Sequence, residues 1–183
     1  MGEKERMKAL VSQAKMGDAH SFATLYEMLY QDLYRAALYT LGNPDDAENV
    51  VSDTVMDAYS GLTKLRDDNA FRGWIFKILD NKCKKYLKEY IHRREVQSAV
   101  PVEDMAETLP TNGNVIQGAE NRTMIQDAFS VLNEEEKRIV TMTVYGQYDS
   151  GEIATMMGIN RNTVRSKYSR ALMKMRNRLG GQA

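Results

Sequence analysis

Wherever the apolar residues of this chain form a pattern, they recur three or four positions apart, and nowhere do they alternate. From Ser21 to Leu41, Phe22, Leu25, Tyr26, Leu29, Leu33, Ala37 and Leu41 fall on one face at helical pitch. Ala47, Val51, Val55, Ala58 and Leu62 mark a second stripe, and Ile75, Leu79, Cys83, Tyr86 and Tyr90 a third, on a helix from Phe71 to about Tyr90. A short helix from Glu3 to Lys15 is expected on a sparser pattern. Prolines break helices, and the chain has three, Pro44, Pro101 and Pro110, each at an expected turn or linker. The expected fold class is therefore all-α, with two small helical domains joined by a linker.

The boundaries carry their own chemistry. Gly42 suits the left-handed position after a helix end. Asn43 can then cap the next helix, Pro44 suits its first position, and Asp45 and Asp46 favour the positive end of its dipole. A polar loop, Arg66 to Asn69, precedes the third helix. From Gln97 to Gly118 there are two prolines, two glycines, four amide side chains and three acids, without a period. Helical pattern resumes near Val115 to Leu132, with Ile125, Ala128, Phe129 and Leu132 facing inward, and Asn133 followed by three glutamates starts another helix. These signals divide the chain into a domain at 1–96, an acidic linker at 97–118 and a second domain at 119–183.

Net charge is zero, which by itself argues against nucleic acid, but the charges are segregated. Asp18 to Asp68 holds ten acids and three bases; Phe71 to Arg94 holds eight bases and two acids. Gln97 to Asn121 has four acids and no base, and after Gly158 there are seven bases and no acid. Separate positive surfaces of this kind attract phosphate, although charge runs also occur on ordinary solvated helix faces. The single cysteine, Cys83, cannot form an intrachain disulfide, the N-terminus is charged, and no apolar run is long enough to span a bilayer. A cytoplasmic protein without membrane insertion is expected. His20 and His92 lie far apart, and no phosphate loop or metal-ligand spacing occurs, so neither catalysis, a metal nor a cofactor is expected.

The most specific pattern runs from Ser150 to Met173. Ser150 can cap a first helix, Ala154 is small where a second helix must cross, and Gly158 supplies the positive φ of a tight turn. Ile159 and Val164 fill the wedge between the helices, and Asn160 can cap the second. That helix leaves Arg161, Asn162, Thr163, Arg165, Ser166, Lys167 and Arg170 on its free side, side chains suited to base edges and phosphates. This is the pattern of a DNA-binding helix-turn-helix. A basic helical hairpin packed on a protein is the plainer reading, and it leaves the base-only stretch after Gly158 unexplained.

The third helix pairs aromatic residues with bases. Phe71 and Trp74 stand at its start, with Lys77, Asn81, Lys84, Lys85 and Lys88 along it. Unpaired DNA needs this combination, because bases stack on rings and phosphates pair with lysines. Taken alone, Phe71 and Trp74 read more readily as core residues of an amphipathic helix. The helix after Pro44 carries Asp45, Asp46, Glu48, Asp53 and Asp57; it repels phosphate and suits a basic protein partner, or is simply a solvated face.

Taken together, these residues resemble the extracytoplasmic-function class of bacterial sigma factors. The segments from Phe22-Ala-Thr-Leu-Tyr through Leu41-Gly-Asn-Pro-Asp-Asp-Ala-Glu to Phe71-Arg-Gly-Trp-Ile-Phe-Lys-Ile and Asn81 resemble sigma region 2. Those from Leu132-Asn-Glu-Glu-Glu-Lys through Glu152-Ile-Ala, Gly158-Ile and Thr163-Val-Arg-Ser to Arg170-Ala resemble region 4. The resemblance implies a factor that binds RNA polymerase core and directs promoter-specific initiation. It places Asp45, Asp46, Glu48, Asn49, Ser52, Asp53 and Asp57 on the clamp helices of the largest catalytic subunit, and region 4 on the flap of the second-largest. Arg66, Asn69 and Phe71 would capture a flipped base of the −10 element, and Trp74, Lys77, Asn81, Lys84, Lys85 and Lys88 would meet its edge and phosphates. Arg161, Asn162, Thr163, Arg165, Ser166, Lys167, Ser169 and Arg170 would read the −35 element in the major groove. The acidic linker would thread the RNA exit path, and an anti-sigma factor is an implied partner. Lys85, Ser169 and Ser52 depart from the usual residue types, which bears on promoter sequence rather than class. A helix-turn-helix repressor is the rival reading, and it has no use for an acidic helix followed by an aromatic-basic one.

Overall fold

The computed structural model describes residues 2–98 and 124–180. Every regular element among them is helical. Four helices form the N-terminal bundle: α1 (Glu3–Lys15), α2 (Ala19–Leu41), α3 (Pro44–Gly61) and α4 (Phe71–Ser98). Two short 3-10 turns, Leu62–Lys64 and Asp68–Ala70, link α3 to α4. Four more form the C-terminal domain: α5 (Met124–Ser130), α6 (Glu134–Val144), α7 (Ser150–Met157) and α8 (Arg161–Gly180).

The helix ends follow the local chemistry. Asp18 accepts a hydrogen bond from the His20 amide to open α2, and Gly42 closes it in the left-handed conformation at φ 76°. Asn43 accepts from the amides of Asp45 and Asp46, with Pro44 in the first turn of α3. Asn133 and Glu136 form a reciprocal capping box at α6. One cap differs from expectation. Asp149, not Ser150, opens α7, accepting from the amides of Gly151 and Glu152 while Glu152 reaches back to the Asp149 amide. A carboxylate facing the helix dipole is the stronger cap, which leaves the Ser150 hydroxyl for another use.

Leu25, Leu29 and Leu33 of α2 meet Val11 of α1, Val51 of α3 and Phe71 and Ile75 of α4 in a fully buried core. The helical stripes therefore point where their period says, and α1 is fully part of the bundle through Met7, Val11 and Ala14. Lys15 ties α1 to the connection ahead of α4, donating to the Leu65 carbonyl at 2.6 Å and pairing with Asp68. Tyr90 is the exception at the end of the third stripe: α4 runs on well past it, and Tyr90 and Ile91 stand exposed. In the C-terminal domain Ile125, expected inside, is exposed, whereas Ala128, Phe129 and Leu132 are buried as their spacing predicts. The linker expected at 97–118 and the helical resumption at Val115 lie largely outside the described residues.

The two bundles pack on each other. Tyr39 of α2 leaves its own domain and joins Phe129, Leu132, Val140 and Ala171 in a core of the other. Its ring stacks on Phe129 at 4.6 Å and lies 6.1 Å from Tyr145. Ala36 and Thr40 beside it are buried as well, Ala36 in the core of the N-terminal bundle.

Candidate nucleic-acid interface

In α7 and α8 the helix-turn-helix is built as its residue types require. Ile139, Met142, Ile153, Ala154 and Val164 form its core, with Ile159 packed against them. Gly158 makes the turn at φ 68°, where a Cβ strains the backbone even with open space around it. Asn160 accepts from the Asn162 amide at 2.8 Å and opens α8.

Arg161, Asn162, Arg165, Ser166, Ser169 and Arg170 are exposed along one side of α8, with Thr163 half-buried. The Ser150 hydroxyl, free of capping duty, accepts from Arg161 Nε at 3.0 Å and Arg165 Nε at 3.3 Å. These arginines are thus presented side by side across the front of the hairpin. Asp149 is held below the ordinary carboxylate range, first by the amides of Glu152 and Gly151 and then by Arg161 and Arg165. Lys167 corrects the expected set: it turns back to Glu135 of α6 at 2.6 Å and braces the domain. Lys174 and Arg178 likewise pair with Glu136 and Asp127. The basic charge that faces outward is therefore arginine, concentrated in the first half of α8.

The second basic face lies on α4. Trp74, Lys77, Asn81, Lys84 and Lys88 fall three or four apart on one side, with Lys85 beside them, and all except half-buried Trp74 are exposed. Lys84 lies 3.8 Å from Asp80 and Lys85 3.8 Å from Glu89. Arg66 and Asn69 are exposed on the preceding loop, where Asp67 accepts from the Asn69 amide at 2.9 Å and shapes the turn. Phe71 is a correction. It is 1% exposed, deep in the bundle core, and cannot stack on a base. Trp74, 6.0 Å from it and lying over Gly61, is half-buried against the same core.

The acidic face lies on α3. Asp45, Glu48, Asn49, Ser52, Asp53 and Asp57 are exposed; Asp46 is half-buried and accepts from the Tyr86 hydroxyl, whose pKa burial and that bond push up to about 12. Asp57 pairs with Lys82 at 2.7 Å. The same face carries two exposed apolar side chains that the acidic pattern did not single out, Met56 at 68% and Tyr59 at 54%. Their signal was legible, since neither falls on the buried stripe of α3. Among the described residues no cluster of His, Cys, Asp or Glu could hold a metal ion, and no helix is long and apolar enough to cross a membrane. Cys83 is buried, which pushes its thiol up to about 12 and keeps it unreactive.

The two helical modules that carry these faces each match a known family. Residues 25–105 match sigma-70 region 2, and residues 122–175 match sigma-70 region 4. The chain belongs to the extracytoplasmic-function sigma factors. It is 27% identical over 180 residues to the ECF RNA polymerase sigma factor SigM of Mycobacterium tuberculosis, covering 98% of this chain and 88% of that protein. It is 26% identical over 187 residues to the ECF RNA polymerase sigma-E factor of Haemophilus influenzae, covering 98% of each. The fold is also that of CnrH, solved in complex with the cytosolic domain of CnrY (TM-score 0.65, 20% identity, 97% of this chain and 99% of that one). It is shared with the sigma factor RpoE in complex with the anti-sigma factor NepR from Bartonella quintana (TM-score 0.61, 22% identity, 87% and 96%). Sigma factors are transcription initiation factors, and this one carries the region 2 and region 4 modules of promoter recognition.

Proposed function

We propose that this sigma factor binds RNA polymerase core through the acidic face of α3, with Asp45, Asp46, Glu48, Asn49, Ser52, Asp53 and Asp57 facing a basic surface of the largest subunit. Region 4 would rest on the flap of the second-largest. The α8 face built on Arg161, Asn162, Arg165 and Arg170 enters the major groove of the −35 element. The α4 face built on Trp74, Lys77, Asn81, Lys84, Lys85 and Lys88, with Arg66 and Asn69 ahead of it, meets the −10 element as it opens. The protein hydrolyses nothing and acts in the cytoplasm. An anti-sigma factor is its expected regulator, since relatives of the same fold have been solved with such partners.

The observation that supports this reading is the set of surfaces: exposed basic side chains on α4 and α8, in different modules, and an exposed acidic face on a third helix, α3. A repressor needs one DNA surface and a dimer contact; it has no use for three.

Transcription by purified core enzyme on genomic DNA fragments, with and without this protein, tests the proposal. New, discrete start sites are expected only with the protein present. Failure of the protein to bind core would overturn the reading. Arg165→Ala is expected to weaken −35 recognition by about 1–3 kcal/mol while leaving core binding intact. Equal loss of both would show that α8 is not the reading helix.

A further inference from the structure

The −10 surface proposed above includes a loop, and a loop needs something to hold it. Between α3 and α4 the chain makes two 3-10 turns, Leu62–Lys64 and Asp68–Ala70, and Arg66 and Asn69 are exposed on this connection. Turns of this kind have poor hydrogen-bond geometry and stay short. The bonds inside the connection are local. The Leu65 amide donates to the Leu62 carbonyl at 3.1 Å, and Asp67 Oδ1 accepts from the Asn69 amide at 2.9 Å and from the Asn69 side-chain amide at 3.0 Å. They shape each turn, but they do not set one turn against the other.

Lys15 supplies that link. It is the last residue of α1. Its ammonium donates to the Leu65 carbonyl at 2.6 Å, just after the first turn, and pairs with Asp68, which begins the second. Both charged side chains are only 21% exposed, so solvent and salt screen the pair less than they would a surface pair. A cation also suits the place, because α1 ends there with its last carbonyls pointing out. The Leu65 side chain is buried in the bundle core, and so is Ala14, next to Lys15 in the chain. Both ends of the brace are therefore anchored on one core. Arg66 follows Leu65, and Asn69 follows Asp68. Lys15 thus holds the residue immediately before each of the two loop side chains proposed to meet DNA.

We infer that Lys15 is a positioning residue for −10 recognition: without touching DNA, it fixes where Arg66 and Asn69 stand and so sets which base the loop accepts. Selective contacts need their donors held to within about 0.5 Å, and a loop meets that demand only when a rigid scaffold positions it. The inference rests on the function proposed above for Arg66 and Asn69. A brace needed for folding alone is the competing role, and it would act on every promoter position alike.

Transcription by core enzyme and the full chain, on one promoter from the start sites found above with each −10 and −35 base replaced in turn, tests this. Lys15→Met keeps the apolar stem and removes the ammonium. It is expected to reduce discrimination about tenfold at one −10 position, the size of one base contact, while discrimination at the −35 element and affinity for core stay unchanged. Lys15→Arg, whose guanidinium can donate to both oxygens, is expected to restore most of that discrimination. Asp68→Asn weakens only the bond to the second turn, so a smaller loss is expected at the same position. An equal loss of transcription at all positions, or discrimination intact in Lys15→Met, would overturn positioning. If Lys15→Met loses helical content, Asp68→Asn decides, and unchanged discrimination in it overturns the inference. Arg66→Ala and Asn69→Ala on the same promoters separate the two readings. Discrimination lost in these but kept in the Lys15 and Asp68 variants overturns positioning alone. Discrimination kept in every variant overturns the loop's assignment to the −10 element, and positioning with it.

Discussion

Phe71 and Trp74 sit three residues apart, both aromatic and both beside bases, and the sequence offers no way to rank them as base-stacking residues. Surroundings separate them: Phe71 is enclosed by the bundle, and Trp74 lies over a glycine at the edge of a cleft. Phe71→Ala is therefore expected to cost about 3–5 kcal/mol of N-terminal domain stability in urea unfolding, the loss typical of a buried aromatic ring. Trp74→Ala should cost clearly less and act instead on −10 DNA. Equal stability losses would place both rings in the core. Glu136 illustrates a different burden on one residue. It is buried, which pushes its carboxyl up, but Lys174 at 2.7 Å and the Asn133 amide outweigh that, and it ends below its ordinary value. A carboxyl lowered in the folded state stabilises fully above its unfolded pKa, and that stability is lost as pH falls through the folded one. Wild-type stability should thus fall as pH is lowered from about 5 to about 3, and Glu136→Gln should flatten that fall in denaturant titrations at each pH. An identical slope in the variant would assign the acid sensitivity elsewhere.

At the scale of elements, the sequence was legible where one helix meets its immediate neighbours. The stripes of α2, α3 and α4 each point into the bundle because burial by adjacent helices repeats at helical pitch. Gly42, Asn43, Asn133, Gly158 and Asn160 all act at helix ends as their chemistry requires. The burial of Tyr39 on α2 could not be read, because what covers it lies some ninety or more residues away in another domain and leaves no local period. Lys167 was misread for the same reason: its position on α8 is compatible with DNA, and only the placement of Glu135 shows where it turns. The turn of the helix-turn-helix, by contrast, is local. Gly158→Ala puts a Cβ at φ 68° with nothing crowding it, so the expected loss is the conformational cost alone, about 1–2 kcal/mol. Thermal unfolding of the variant measures it. A much larger loss would mean the glycine also serves close packing, as Gly146 does against the Met142 carbonyl.

Across the whole molecule, two domains that each hold a core also share a further hydrophobic cluster. Interfaces between domains of one chain are ordinarily modest and polar, and their partners then unfold separately. Here an aromatic ring from α2 is built into the hydrophobic cluster of the C-terminal domain, stacked on Phe129, with buried Leu132, Val140 and Ala171 in the same cluster. Removing the C-terminal domain would strand Tyr39 on the surface of α2, and unfolding the N-terminal bundle would take the ring out of the other core. Neither domain can unfold without cost to its neighbour, so the wild-type chain is expected to melt in a single calorimetric transition. Tyr39→Ala removes the shared ring without touching the stripe that α2 turns toward α3 and α4. It should cost about 3 kcal/mol of coupling and divide the melt into two transitions, the smaller C-terminal domain melting first because it has lost part of its core. Two transitions already present in the wild-type chain would show that Tyr39 does not couple the domains.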